Sequence, residues 1–185
     1  MPGEGRIILV VDDDPTQLKL LATYLANLGF GVTTATDGAD AIVKAETTMP
    51  DAVFTDVLMP EVDGFELCRL IRQHERLGNT PVVLLTNNYG DEADRRLAAD
   101  VGANALVHRT PDCKEAVEVL LASLDRPAPL PARNDAAFEA EHKESLLRQL
   151  NRQARLNVDL ARRCAAQSAQ ISVLASAAQN FLRSG

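Results

Sequence analysis

Two adjacent aspartates, Asp12 and Asp13, end the apolar run Ile7-Ile8-Leu9-Val10-Val11, and a third, Asp56, closely follows the run Ala52-Val53-Phe54. An apolar run that stops abruptly at an acid reads as a buried parallel strand ending at the open edge of a sheet. Ligands of open α/β sheets bind at that edge. Three carboxylates gathered there repel one another unless a cation joins them. Oxygen-only ligation suits a hard cation such as magnesium, which keeps several waters and accepts phosphate oxygens as further ligands. The pattern points to metal-assisted phosphoryl chemistry on an α/β domain.

The elements that must position these acids alternate along the chain. Strands are expected over Arg6–Val11, Val32–Ala35, Ala52–Thr55, Pro81–Thr86 and Ala105–Val107. Between them, Leu18, Leu21, Ala22, Leu25 and Leu28 recur at helical spacing after Asp14-Pro15, with Gly29 as the stop. Further helices are expected over Ala39–Ala45, around Phe65–Ile71, over Asp91–Val101, and from an Asp112 cap through Leu124. Strands alternating with helices give a parallel sheet with crossover connections.

Composition narrows the function. A net charge of −7 argues against nucleic-acid binding by bulk charge. With 46% hydrophobic residues but only 4% aromatic ones, the core must be aliphatic. Cys68, Cys113 and Cys164 are widely spaced with no CxxC, which fits a reducing cytoplasm rather than a disulfide or zinc framework. The start Met1-Pro2-Gly3-Glu4-Gly5 lacks the basic region of a signal peptide, and no apolar stretch is long enough to span a membrane.

The residues in hand resemble the receiver domain of bacterial two-component response regulators. The likeness runs through Val10-Val11-Asp12-Asp13, Thr55-Asp56-Val57-Leu58-Met59-Pro60, Asp63-Gly64, Leu84-Leu85-Thr86 and Val101-Gly102-Ala103. It implies a doubly wound, flavodoxin-like five-stranded parallel sheet of order 2-1-3-4-5. The implied roles are Asp56 as phospho-acceptor, Asp12, Asp13, Asp56 and the Leu58 backbone carbonyl around Mg²⁺, and Thr86 as the switch hydroxyl. A histidine kinase or phosphotransfer protein is the implied phosphodonor. The protein is then a phosphoryl acceptor rather than an enzyme with its own substrate, apart from self-phosphorylation by small donors and self-dephosphorylation.

Departures from the family pattern follow the last strand. Arg109 and Thr110 stand where receivers carry Lys-Pro; a one-residue shift would instead place Thr110 and Pro111 there. Arg109 keeps the cation and would contact the phosphoryl group, but its planar fork is not equivalent to an ammonium. Leu106 replaces the aromatic residue that many receivers have on that strand, and reads as core.

Three segments are expected: a receiver over 1–125, a Pro-rich linker over 126–134, and a long helix over 135–185. Residues 1–133 carry 12 Lys+Arg against 21 Asp+Glu, whereas residues 134–185 carry 7 against 5, so the two ends differ in character. From Asp135 to Leu182 there is neither Pro nor Gly. Lys143, Leu150, Asn157, Cys164, Ile171 and Ala178 fall at a, and Leu146, Gln153, Leu160, Gln167, Leu174 and Phe181 at d. A helix with one such stripe is expected to pair as a dimeric coiled coil, the alternative being a helix folded onto the receiver. His142 is expected to be solvated. No helix-turn-helix follows, so the expected product is a cytoplasmic homodimer signalling to an output domain beyond this chain. Alternative readings are a constitutive dimerisation scaffold on a pseudo-receiver, and the regulatory fragment of a histidine kinase or diguanylate cyclase. A haloacid-dehalogenase-like phosphatase is disfavoured, because Asp56-Val57-Leu58 lacks the second acid of Asp-x-Asp.

Overall fold

The computed structural model describes residues 3–87, 92–110, 113–125, 128–129 and 135–183. Five strands, β1 (Ile7–Val11), β2 (Gly31–Ala35), β3 (Ala52–Asp56), β4 (Val82–Thr86) and β5 (Ala105–His108), form one sheet in the order β2-β1-β3-β4-β5. All four pairings are parallel. The connecting helices are α1 (Pro15–Asn27), α2 (Gly38–Thr48), α3 (Gly64–Gln73) and α4 (Glu92–Asp100), with α5 (Lys114–Leu124) after β5.

The period of two along each strand splits the core between the faces of the sheet. Leu9, Val11, Val53 and Leu84 pack with Ala41 and Ala45 of α2, Phe65, Leu67 and Ile71 of α3, and Leu97 of α4. Ile8, Val10, Phe54 and Val83 pack with Leu18, Leu21 and Leu25 of α1 and Val117 and Leu120 of α5. Both faces are covered, which is why the central strands read as unbroken apolar runs. Leu106 packs partly buried against the first cluster.

Local signals set most boundaries. Asp14 caps α1, accepting from Thr16 N at 2.7 Å and Gln17 N at 3.4 Å, and those amide bonds hold its carboxyl below the usual range. Gly29 follows α1 at φ 91°, a left-handed geometry suited to glycine. At α5 the expectation fails: Cys113, not Asp112, is the N-cap, at φ 53° and without a side-chain capping bond. Asp112 and Pro111 lie outside the described residues, as does most of the expected linker.

Gly64 fixes how close α3 starts to the sheet. A Cβ there would lie 2.3 Å from Asp56 O and 2.9 Å from Val57 Cα, both backbone atoms. Gly64→Ala must therefore push α3 away from the end of β3. A loss of about 3 kcal/mol in urea unfolding is expected, at the upper end of overpacking costs. An unchanged midpoint would show that this approach is not tight.

A sixth helix, α6, runs from Asp135 to Arg183. The chain divides into two compact units, Met1–Ser145 and Leu146–Gly185. The first turns of α6, residues 135–145, thus belong to the same compact unit as the sheet, whereas the whole helix was expected to stand apart from it. Within that unit Phe138 packs on the α2–α3–α4 side of the core, and His142 is only 16% exposed in its side chain, not solvated. In the second unit, Leu147, Leu150, Leu156, Val158 and Leu160 are exposed. Among the described residues, no helix is long and apolar enough to cross a membrane.

Candidate functional site

Strand register assembles the site. Val11 pairs with Thr55, so the next residues, Asp12 and Asp56, emerge side by side at the carboxyl edge. Asp56 pairs with Leu85, and Thr86 with His108, so Thr86 and Arg109 leave the sheet beside them. The backbone closes the β5 side of this edge, with Arg109 N donating to Thr86 O at 2.8 Å.

At the centre is a guanidinium between two acids. Arg109 Nη2 donates to Asp12 Oδ2 at 2.5 Å and to Asp56 Oδ1 at 2.7 Å, and Nη1 donates to Gln17 Oε1 at 3.3 Å. All three charged side chains are below 10% exposed. Asp56 Oδ2 accepts from Leu58 N at 3.0 Å, and Asp12 Oδ1 from Asp14 N at 2.9 Å. Burial pushes the Asp56 carboxyl up to about 6; the Asp12 charge adds to the rise and Arg109 opposes it. Burial likewise raises Asp12, against the pull of Arg109. Burial works to lower Arg109, but attraction from Asp56 and Asp12 overrides it and raises the guanidinium. Thr86 is buried, and Asp13 stands exposed, its charge adding to the rise of Asp12.

The structure thus brings Asp12, Asp56 and Arg109 into contact and sets Thr86 beside them, whereas Asp13 stays outside the hydrogen-bonded trio. Among the described residues no three acids form a closed metal cage. The donor set nevertheless suits Mg²⁺. It offers only oxygen ligands, and three carboxylates against one guanidinium leave an excess of negative charge. Asp12, Asp13, Asp56 and the Leu58 carbonyl are the groups that would hold the ion.

Sequence reasoning missed one contributor to the site and one structural tie away from it. Gln17 reaches Arg109 across 92 residues of chain, with only its place in the first turns of α1 as a signal. Arg72 of α3 donates to Gly102 O at 2.8 Å, Thr80 O at 2.7 Å and Asn104 Oδ1 at 3.1 Å, tying α3 to the loops that precede β4 and β5, at the edge of the sheet opposite the site.

Residues 8–120 match the family described as the response regulator receiver domain, and the chain belongs to that family. It is 43% identical over 107 residues to the transcriptional regulatory protein GltR of Pseudomonas aeruginosa, covering 56% of this chain and 43% of GltR. It is 36% identical over 97 residues to protein PilG of the same organism, covering 51% of this chain and 72% of PilG. The chain spans under half the length of GltR. A receiver domain of a P. aeruginosa sensor histidine kinase, solved with magnesium coordinated in its active-site cleft, is 30% identical with a TM-score of 0.59. That match covers 65% of this chain and 98% of the kinase receiver.

Proposed function

We propose that this protein is a phospho-accepting receiver in a two-component relay, with Asp56 as the acceptor. The observation that carries the reading is Asp56 itself, a buried carboxylate next to Asp12 and held by a guanidinium that has a further donor to offer. Arg109 Nε is buried and has no acceptor among the described residues. A phosphoryl oxygen would supply one.

In the transfer, a carboxylate oxygen of Asp56 attacks phosphorus of a phosphohistidine. The new P–O bond forms as the P–N bond breaks, and the imidazole leaves with the electron pair of that bond. Leu58 N and Arg109 Nη2 hold the carboxylate in place, so attack needs little reorganisation. Arg109 then turns part of its fork to the phosphoryl oxygens, and the Thr86 hydroxyl donates to them. Bound Mg²⁺ supplies charge neutralisation at the transferring phosphoryl group. The donor is a histidine kinase or phosphotransfer protein. The exposed leucines of α6 support pairing with a second copy as a parallel coiled coil, through which the state of the receiver reaches an output domain.

A second reading draws on the same contact. A guanidinium already bridging Asp12 and Asp56 would suit a pseudo-receiver that is never phosphorylated and serves as a dimerisation scaffold. Fluorine NMR with beryllofluoride and magnesium separates the two. The acceptor reading expects protein-bound fluoride resonances with the parent and none with Asp56→Asn. Their absence from both would favour the scaffold.

A further inference from the structure

Two acids, one capping α3 and one in the first turn of α4, hold the first turns of α6. Asp63 closes the β3–α3 loop as the N-cap of α3; its Oδ1 accepts from Phe65 N at 2.9 Å and Glu66 N at 3.0 Å. Its other oxygen, Oδ2, lies 2.7 Å from His142 Nε2. With the carboxylate as acceptor, Nε2 is the protonated ring nitrogen. The imidazole stacks on Phe138 at 4.8 Å and meets Phe65 edge-on at 6.1 Å, while the Arg69 guanidinium lies 5.6 Å above the Phe138 ring. One turn further along, the Ser145 hydroxyl donates to Asp94 Oδ1 at 2.6 Å, with both residues buried. Asp94 lies in the first turn of α4.

We propose that His142 and Ser145 are paired pins through which phosphorylation of Asp56 releases the start of α6. The inference rests on the acceptor reading of Asp56. Each pin is tied to the site through its helix. On the α3 side, Gly64 N donates to Val57 O at 3.0 Å, and the Gly64 backbone lies against that of Asp56, so a shift at Asp56 passes directly to the residue beside Asp63. On the α4 side, the helix follows β4, which ends at Thr86.

The geometry sets the direction of the effect. His142 and Ser145 are three residues apart on one rigid helix, about 4.5 Å along its axis. Both bonds are satisfied together only at one spacing between Asp63 and Asp94. A rearrangement that moves the start of α3 relative to α4 breaks at least one of them. Release therefore accompanies the phosphorylated state, and docking the unmodified one. The docked face also differs from the heptad stripe: His142 is mostly covered and Ser145 buried, each against an acid, whereas Leu150, at an a position, is exposed on the same helix. This route needs no aromatic side chain at Leu106.

Hydrogen exchange of the full chain, read on peptides spanning residues 138–145, tests the inference with magnesium and beryllofluoride as the probe. Intact mass after acetyl phosphate runs alongside. The parent should gain one phosphoryl mass, and its 138–145 amides should exchange about three- to tenfold faster with the probe, the loss of about one hydrogen bond. His142→Ala with Ser145→Ala should exchange fast without the probe, respond little to it, and still gain the phosphoryl mass. Ser145→Ala alone should give an intermediate rate. A phosphoryl mass with unchanged or slower exchange in the parent overturns the coupling and leaves the acceptor reading standing. A full probe response in the double variant also overturns it. If neither protein gains mass, the acceptor reading and the coupling fall together.

Discussion

Arg109→Ala should unfold in urea with about 3 kcal/mol less stability than the parent at pH 7 in the presence of a chelator. Removing the cation leaves Asp12 and Asp56 buried side by side with no compensating charge, and breaking a buried pair in this way typically costs about 3–5 kcal/mol. We place the loss at the low end because Asp56, already pushed up to about 6, can take a proton instead. A raised carboxylate favours the folded state at low pH and loses that contribution as pH rises through its folded value. The penalty of Arg109→Ala should therefore grow from pH 5 to pH 8. Arg109→Lys, which can bridge the acids through one nitrogen, should recover most of the loss, and magnesium should recover part of it in the alanine variant. Equal stability of parent and alanine variant would mean that the guanidinium does not compensate these acids.

A larger effect is expected in the second unit. Leu150→Glu combined with Leu160→Glu should abolish self-association of the chain. Each leucine is more than half exposed in the single chain, and a paired helix would bury four of them. At a low-end value of about 1.5 kcal/mol per side chain, their loss amounts to about 6 kcal/mol, over four orders of magnitude in dissociation constant. Light scattering at micromolar concentration should read a dimer for the parent and a monomer for the double variant. A monomeric parent would remove the coiled coil from the account. Orientation can be read from the same chain. Cys164 is exposed, whereas Cys68 and Cys113 are buried, and burial pushes the Cys68 thiol up to about 12. Mild oxidation should therefore cross-link through Cys164 if the helices lie parallel and in register, and give little product if they are antiparallel.

The sheet and the meeting of Asp12, Asp56 and Arg109 at its edge were legible because each rests on a local signal. Apolar runs ending at Asp12, Asp13 and Asp56 marked both the strands and their carboxyl edge, and parallel order then brought Asp12 and Asp56 together. Placing Arg109 seven residues after Gly102 put a cation at the same edge, where it meets both acids. The docking of α6 was not legible. Its contacts use one aromatic, one imidazole and one hydroxyl, and their acidic partners lie 79 and 51 residues away. Hydrophobic periodicity responds to none of these polar groups. Phe138 followed by His142 one turn later was the only hint, and a heptad reading that began at Lys143 passed over it. The N-terminus of α5 was misplaced for a related reason: a capping preference does not decide between adjacent candidates when the loop takes a left-handed turn at Cys113.

The central claim is that Asp56 accepts a phosphoryl group. Intact mass spectrometry after incubation with acetyl phosphate and magnesium tests it most directly, with peptide mapping to locate the adduct. The account predicts one added phosphoryl mass on the parent, carried by the peptide containing Asp56, lost on treatment with hydroxylamine, and absent from Asp56→Asn. An unmodified parent, or an adduct of the same size on Asp56→Asn, would contradict it.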